Sequence, residues 1–342
     1  MLTKKHVDKE NKLTTRNGTV HTSNMDITTR EGIMADVKRA EIESQLSKAK
    51  LPALPEPLPA LVTDNHTHAD ATVEFSGLDP ELNLSAAAVV GVHRIVEVGC
   101  DQPSSEWAVD FAATHEQVVA AVALHPNDGA RMAARQGPEA VNDVMRRIEQ
   151  LATAHERVRA VGETGLDYFR IQDPADQAFQ RELFARHIEI AQRTGRALVI
   201  HDRDAHADVA AVLDEYGWPP RTILHCFSGD AEFAATCLEH DAWLSFAGSV
   251  TFKANGAVRD ALRSTPADKV LVETDAPYLT PVPMRGRPNA PYLVPHTVRF
   301  LAAARGIETS DEQALAAWCR QLDANTSRAY GSNPQAIVTG TW

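Results

Sequence analysis

The chain contains few cysteines, and none of them follows a metal-binding or disulfide pattern. Its 342 residues include four, Cys100, Cys226, Cys237 and Cys319, without any Cys-x-x-Cys spacing. Such isolated cysteines argue against a thiolate zinc site and a disulfide framework, and they fit a reducing cytosol. The sequence also lacks a run of about 18 uncharged apolar residues and the apolar core of a secretory signal. We therefore expect a cytoplasmic protein without a membrane span.

Positive charge is also scarce, because the formal net charge is -12. Residues 1–50 contain ten Lys and Arg against seven Asp and Glu, so the acidic excess lies in the remainder of the chain. An acidic body argues against broad, sequence-independent clamping of duplex DNA, which depends on phosphate neutralisation by Lys and Arg. It leaves room for a small site in which metal ions supply the positive charge.

No glycine-rich phosphate-binding fingerprint follows the first predicted strand, which argues against a doubly wound open sheet. Instead, short apolar runs alternate with helical patterns from Leu61 onward. The strands are predicted at 61–64, 94–99, 118–124, 158–162, 197–200, 221–224, 243–247 and 269–273. Helices are predicted at 81–91, 104–114, 138–155, 175–194, 204–216, 230–240, 256–264, 295–305 and 311–322. Eight strands, each followed by a helical pattern, predict an α/β fold of the (β/α)₈ TIM-barrel type.

The pattern divides the chain into three segments. Residues 1–60 are predicted to be a disordered N-terminal extension with a Pro-rich linker, although a short helix is possible over 36–49. Residues 61–331 form the predicted barrel, and residues 332–342 a C-terminal tail. Because this extension shows no core-forming pattern, we expect deletion of residues 1–50 to leave the fold and turnover nearly intact, and Met34 is an alternative start of translation.

The 14 histidines fall into two groups when they are placed on this barrel. One group precedes strands or lies within helices, where a histidine usually caps a helix or faces solvent. The other group closes strands, at the barrel end where βα loops build active sites. It comprises His66 and His68 after the first strand, His125 after the third, His201 after the fifth and His225 after the sixth. Two carboxylates share that end, Glu163 after the fourth strand and Asp275 after the eighth.

These strand-end residues have the composition of a two-metal site. His66 and His68 are two residues apart on one strand, so both side chains point to the same side. They form half of a metal site, with Asp275 and Glu163 as further ligands. Glu163 is placed to bridge to a second ion held by His201 and His225, the arrangement of phosphoester-cleaving centres. Imidazole with carboxylate suits Zn, Mn, Fe or Ni, whereas Mg²⁺ prefers more oxygen ligands.

With these residues in place, the sequence resembles the TatD family of metal-dependent deoxyribonucleases, within the amidohydrolase superfamily. The resemblance extends from about Leu61 to Gly331. It rests on DNHTHAD at 64–70, ALHPND at 123–128, VGETGLDYFR at 161–170, HDRDAHAD at 201–208, LHCFSGD at 224–230, ETDAPYLTP at 273–281 and RGRPNAP at 285–291. Two positions depart from the usual pattern, Thr164 and Asn127, and neither is a predicted ligand.

The resemblance implies specific roles for these residues. One ion would be held by His66, His68, Glu163 and Asp275, and the other by Glu163, His201 and His225. Asp275 would also take a proton from the attacking water, so that Asp275 and Glu163 are the predicted catalytic residues. The implied cofactors are two divalent ions, Mg²⁺, Mn²⁺ or Zn²⁺. The positions of His125, Arg170 and Ser228 match those expected to meet substrate phosphate. The alternative for Arg170 is an ion pair with Asp173, and the alternative for Ser228 is a place in an ordinary turn.

The implied activity is hydrolysis of DNA phosphodiesters, from the end of a single-stranded or frayed substrate. Three alternatives remain open at this point. Binuclear amidohydrolases commonly bridge their metals with a carboxylated lysine at the fourth strand, but residues 158–170 contain no Lys. Removal of a D-amino acid from charged tRNA uses the same activated water. A non-catalytic metal module is the third alternative, although a structural site needs no open position.

Overall fold

The computed structural model describes residues 27–331, with side chains from residue 37 onward. Eight parallel strands follow each other around a single sheet in chain order. They are β1 (Val62–Thr67), β2 (Val92–Gly99), β3 (Val118–Val122), β4 (Val158–Asp167), β5 (Ala197–Arg203), β6 (Thr222–Leu224), β7 (Trp243–Phe246) and β8 (Val270–Val272). The predicted eight-stranded TIM barrel is therefore confirmed.

Twelve α-helices accompany these strands in the described part of the chain. They are α1 (Ile27–Lys48), α2 (Ala69–Ser76), α3 (Pro80–Ala88), α4 (Gln102–Thr114), α5 (Pro126–Gln136), α6 (Pro138–Leu151), α7 (Pro174–Thr194), α8 (His206–Tyr216), α9 (Ala231–Glu239), α10 (Gly256–Ser264), α11 (Val294–Ala304) and α12 (Glu312–Ala329). Five of them begin after an aspartate whose carboxylate accepts backbone N–H bonds, which is the favoured N-terminal cap. No helix in residues 27–331 is long and apolar enough to cross a membrane.

The strands are buried on both faces, which explains their continuous Val, Ile, Leu and Ala runs. Val96, Val98, Val119 and Val199 belong to one buried cluster, whereas the alternate strand residues pack in a larger cluster with the helices. Two backbone bonds join the segment after β8 to β1: Asp275 N donates to His66 O (2.9 Å), and His68 N donates to Ala276 O (2.8 Å). These bonds bring the Asp275 loop to the end of β1.

Two connections differ from the sequence-based expectation. The sequence pattern predicts no helix before residue 81 in the segment after β1, or before residue 138 in the segment after β3, yet α2 and α5 lie there. Each is a short helix that begins directly after a motif histidine, since His68 precedes α2 and His125 precedes α5. In addition, β4 and β5 extend further than predicted, so that Glu163 and His201 lie within strands.

The structure contradicts the prediction of a disordered extension for residues 27–60, whereas the short helix expected over 36–49 is present within α1. Helix α1 extends from Ile27 to Lys48, and its residues Ile42 and Leu46 are buried in the main hydrophobic core. The Pro-rich segment after α1 is irregular but packed, because Leu51 and Leu58 join the same core. The burial of these spaced leucines stabilises a segment that has little regular structure of its own. Residues 1–26 and the predicted tail, 332–342, lie outside the described residues.

Candidate metal centre

Seven predicted site residues meet at the carboxyl end of the barrel. His66 lies in β1 and His68 directly follows it, Glu163 lies in β4, and His201 lies in β5. The other three are His125, His225 and Asp275, which occupy the loops after β3, β6 and β8. The structure thus brings together every ligand candidate found in the sequence, and their roles as ligands remain a prediction.

Glu163 lies at the centre of this cluster. Its Oε1 atom is 2.6 Å from His201 Nδ1, 2.7 Å from His225 Nε2 and 3.6 Å from His125 Nε2. Its Oε2 atom is 3.6 Å from His66 Nε2 and 3.8 Å from His68 Nε2. One carboxylate therefore faces two groups of imidazoles, one with each oxygen. This is the geometry required of a group that bridges two cations.

The distances on the Oε2 side fit a divalent ion. His66 Nε2 and His68 Nε2 are 3.3 Å apart, and Asp275 Oδ1 is 3.4 Å from His68 Nε2 and 3.9 Å from His66 Nε2. A tetrahedral ion with bonds of about 2.1 Å separates its ligand atoms by about 3.4 Å. The ligand atoms of His66 and His68 are thus spaced from each other, and from those of Glu163 and Asp275, roughly as ligands around an ion are.

The histidines on the Oε1 side form a second set of candidate ligands, from which the protonation of His125 distinguishes one member. His125, Glu163 and His201 form a compact group of candidate ligand atoms, and His225 also faces Glu163. The His125 Nδ1 atom accepts a hydrogen bond from Asn127 N (3.2 Å). A neutral His125 then carries its proton on Nε2, which makes it a donor towards the centre rather than a ligand. His201 and His225 remain as the imidazole ligands of this side.

Three histidines are oriented by hydrogen bonds from the ring nitrogen that faces away from the expected ion. His68 Nδ1 lies 2.8 Å from Val98 O, so a neutral ring donates there and leaves Nε2 unprotonated. His225 Nδ1 lies 3.2 Å from Glu273 Oε1, and His201 Nε2 lies 3.3 Å from Asp167 Oδ2. Carboxylate–histidine pairs of this kind orient metal ligands and raise their basicity.

The charges of the cluster favour a cation. Burial opposes the charged form of His201, yet the facing Glu163 carboxylate raises the pKa of this histidine to about 9. Burial likewise disfavours the ionised form of Glu163, but His225 and the other histidines hold its pKa well below the usual range. A divalent ion would supply the positive charge that these protons provide, and its binding would release them. The donor set and its electrostatics therefore fit a metal centre.

The predicted substrate contacts lie around the mouth of the centre. His125, Arg170 and Ser228 line a cavity of about 730 Å³ together with the ligand candidates. Arg170 forms no ion pair with Asp173, and the Asp173 carboxylate instead caps α7. Ser228 Oγ donates to Asp202 O at 3.0 Å. Arg170 is thus available to an anion, whereas the Ser228 hydroxyl already has a partner.

Sequence reasoning missed the residues that position the ligands. Glu273 is fully buried and accepts hydrogen bonds from Cys226 N (2.7 Å) and from the Ser245 hydroxyl. Asp167 accepts from Asn127 Nδ2 (2.8 Å) and Arg170 N (2.8 Å). Glu273 and Asp167 both stand inside recognised motifs, so position within a motif was a usable signal. Their partners are distant in sequence and could not be assigned without the fold.

A parallel eight-stranded barrel with imidazole and carboxylate ligands at its carboxyl end defines a metal-dependent hydrolase of the TIM-barrel class. The model of the TatD related DNase family matches residues 63–331, which is most of the chain and begins after α1 and the Pro-rich segment. The chain therefore belongs to the TatD family.

Individual relatives agree with this assignment. The chain is 41% identical over 273 residues to the uncharacterised metal-dependent hydrolase TatD of Mycobacterium tuberculosis, covering 79% of this chain and 98% of the relative. It is 32% identical over 262 residues to a protein of Pantoea ananatis named 3'-5' ssDNA/RNA exonuclease TatD, covering 74% of this chain and 94% of the relative. The crystal structure of the TatD homologue YjjV from Escherichia coli superposes with a TM-score of 0.70 at 25% identity, covering 81% of this chain and 100% of that chain.

Proposed function

We propose that this metal-dependent hydrolase cleaves phosphodiester bonds of DNA, acting on single-stranded or frayed ends as an exonuclease. The observation that carries the proposal is the position of Glu163, whose two oxygens each face a separate group of ring nitrogens. Such a bridge suits two ions a few ångströms apart, the arrangement used for phosphoester cleavage. The name of the Pantoea ananatis relative supports a nucleic acid as substrate.

The proposed roles divide among the residues of the cluster. His66, His68, Glu163 and Asp275 would hold one divalent ion, Mg²⁺, Mn²⁺ or Zn²⁺, and Glu163, His201 and His225 the second. Bound ions supply Lewis acidity and activate water near neutral pH.

Asp275 accepts the proton of the attacking water in this proposal. Its carboxylate is kept in the ionised form that can accept a proton because, although burial opposes ionisation, the hydrogen bond with His68 and the charge of His225 lower its pKa.

Residues at the entrance of the cavity would bind the substrate phosphate. His125 presents its Nε2 proton towards the centre, and Arg170 is exposed at the rim. A guanidinium and an imidazole N–H are both strong donors to phosphate oxygens. We propose a reducing cytoplasm as the location, in keeping with the four cysteines, which are all free thiols.

The test is a hydrolysis assay with defined single-stranded and blunt duplex DNA, with and without Mg²⁺, Mn²⁺ or Zn²⁺. We expect metal-dependent release of mononucleotides from one end of the single strand, and release at least about a hundredfold slower by an Asp275→Asn variant purified in parallel. A D-aminoacyl-tRNA is the contrasting substrate. Deacylation of this tRNA without any cleavage of DNA would contradict the proposal.

A further inference from the structure

Two exposed aromatic rings extend outward from the candidate metal centre. Tyr278, in the turn after β8, and Phe75, near the end of α2, are 52% and 61% exposed. The Tyr278 ring lies 6.4 Å from the His68 ring on one side and 6.4 Å from the Phe75 ring on the other, measured between centroids. The three rings form a continuous path from a predicted metal ligand to the surface.

A second cavity, of about 380 Å³, accompanies this path. Phe252, Tyr278 and Leu279 line both this cavity and the one above the metal centre, so the two spaces are adjacent. Phe75 and Arg285 line the outer cavity. The Arg285 guanidinium lies 3.8 Å from the centroid of the Phe252 ring, which places a flat cation against an aromatic face. The groove therefore combines apolar rings with positive charge.

The turn that carries Tyr278 is held by hydrogen bonds on both sides of the residue. Tyr278 N donates to Asp275 O (2.8 Å), and Asn289 Nδ2 donates to Tyr278 O (2.5 Å). Asn289 Nδ2 also lies 2.9 Å from Thr274 O. The backbone that presents the exposed ring is thus tied to the backbone that carries Asp275. A backbone held in this way loses little conformational freedom when a ligand covers the ring that it carries.

We propose that Tyr278 and Phe75, with Arg285 beside them, form a stacking site for unpaired nucleobases next to the phosphate that is cleaved. This inference rests on the proposed function, because it identifies residues that would contact the bases of the proposed substrate. Unpaired bases stack on aromatic faces and on guanidinium planes, irrespective of sequence. Stacking also explains how an acidic protein with a net charge of -12 could hold a polyanion without a broad basic surface.

The test compares a short single-stranded oligonucleotide with the same oligonucleotide carrying abasic residues at both ends. We expect Tyr278→Ala and Phe75→Ala each to lower kcat/KM on the base-bearing substrate by between about fivefold and about a hundredfold. On the abasic substrate, the wild-type protein should already show this loss, and the variants should add nothing to it. Phe75→Trp keeps a ring and should retain activity.

The matched control is Tyr216→Ala, because Tyr216 is 42% exposed at the end of α8 and lies outside the two cavities. Equal losses on both substrates, or equal wild-type rates on both, would overturn the stacking site. RNA of the same sequence should depend on Tyr278 as DNA does, since the rings contact bases. A dependence confined to one sugar would also overturn the inference.

The same assay gives a different result if the proposed function is wrong. The wild-type protein would then leave both oligonucleotides intact in the presence of metal ions. Binding measured by fluorescence anisotropy still tests the stacking site in that case. Tighter binding of the base-bearing strand, lost in Tyr278→Ala, supports it, whereas equal affinity for the abasic strand contradicts it.

Discussion

At the scale of single residues, Asp275 is held in an unusual backbone conformation. Its φ is 56°, in the left-handed region, where Asp and Asn are among the few non-glycine residues found readily. Its backbone N–H donates to His66 O, which fixes the carboxylate beside the two histidines of β1. Asparagine has the same shape and the same backbone tolerance. Asp275→Asn therefore removes the base without disturbing the turn.

We predict that Asp275→Asn separates metal binding from chemistry. The amide oxygen still coordinates an ion weakly, so at least one ion should remain, but an amide does not accept a proton near neutral pH. The expected result is a fall in kcat of about 10² to 10⁴ with a much smaller change in substrate affinity. Single-turnover kinetics and equilibrium binding to the same oligonucleotide provide the two measurements.

The control for this variant is a histidine at the opposite end of the barrel. His240→Ala is suitable because His240 is exposed at the end of α9. His93 is less suitable, since its Nε2 atom lies 2.9 Å from Asp323 Oδ1 within a largely buried cluster that includes Arg94. If His240→Ala were inactive and Asp275→Asn fully active, the active end of the barrel would have been misassigned.

Glu273 provides a test of ligand positioning. We predict that Glu273→Gln weakens Zn²⁺ or Mn²⁺ binding by about 10- to 100-fold, because His225 loses the carboxylate that orients its ring. The glutamine oxygen still accepts from Cys226 N, so the fold should be retained. Calorimetric titration of the metal-free protein measures the affinity, with the exposed Glu239→Gln as the matched control. Unchanged affinity for both ions would show that Glu273 has no part in positioning His225.

His187 in α7 makes the stability of the barrel depend on pH. Its Nε2 atom accepts a hydrogen bond from Leu124 N (3.1 Å), and its Nδ1 atom lies 2.8 Å from Leu183 O. Burial lowers the pKa of this histidine to about 4, compared with 6.5 for an ordinary histidine. The unfolded chain therefore binds the proton first as pH falls. This contribution to stability is complete above about pH 6.5 and is lost between there and about pH 4.

We predict that this single group costs about 2–3 kcal/mol of folding free energy between pH 7 and about pH 4.5. His187→Gln retains an acceptor for Leu124 N but does not titrate. Urea unfolding at the two pH values should show a smaller loss in the variant than in the wild-type protein. An identical pH dependence in both proteins would mean that His187 does not remain neutral in the fold.

At the scale of secondary-structure elements, the sequence predicted the barrel and the end at which the site lies. Residues such as His201 and Asp275 could be assigned to the site because they follow predicted strands. Parallel strands place their carboxyl ends together, so a position at the end of a strand is sufficient for this assignment. Helix α5 was not predicted, because its sequence directly after His125 resembles a loop motif. The partners of Glu273 and Asp167 depend on which strands become neighbours, and no local pattern encodes them.

The order of the N-terminal extension also depends on tertiary contacts that its own sequence does not reveal. Among the α1 side chains that the structure describes, from Val37 to Lys48, only Ile42 and Leu46 are buried, and so narrow an apolar face is hard to distinguish from a solvated segment. Tertiary hydrogen bonds then fix the following segment, as Arg287 Nη2 donates to Lys50 O (2.6 Å) and Tyr292 Oη donates to Pro52 O (3.0 Å). The extension thus braces the loop that leads into α11.

We predict that Leu46→Ala lowers the free energy of unfolding by about 2–4 kcal/mol, the usual cost of emptying a buried leucine site. Leu46 is 1% exposed, whereas Val37 in the same helix is 53% exposed. Val37→Ala is therefore the control, and it should change stability by no more than about 0.5 kcal/mol. Equal, small effects of both substitutions would restore the expectation that the extension is dispensable for folding.

At the scale of the whole molecule, the candidate metal ligands are concentrated in one cavity. The protein is acidic overall, and five histidines surround Glu163 in this cavity. Metal ions placed there would attract a phosphate to a single point rather than along a surface. Arg170 and Arg285 line the cavities around this point. We expect the protein to recognise the end of a strand rather than an extended duplex.

The most direct test of this account measures metal content and hydrolysis on the same sample of a Glu163→Gln variant. Wild-type protein after gel filtration should carry two divalent ions per chain by mass spectrometry and should hydrolyse single-stranded DNA. The Glu163→Gln variant should lose at least one ion and all detectable hydrolysis, because Glu163 is the predicted ligand of both ions and its two oxygens face His66 and His201. Two ions per chain together with full activity in the variant would contradict the bridged two-metal centre.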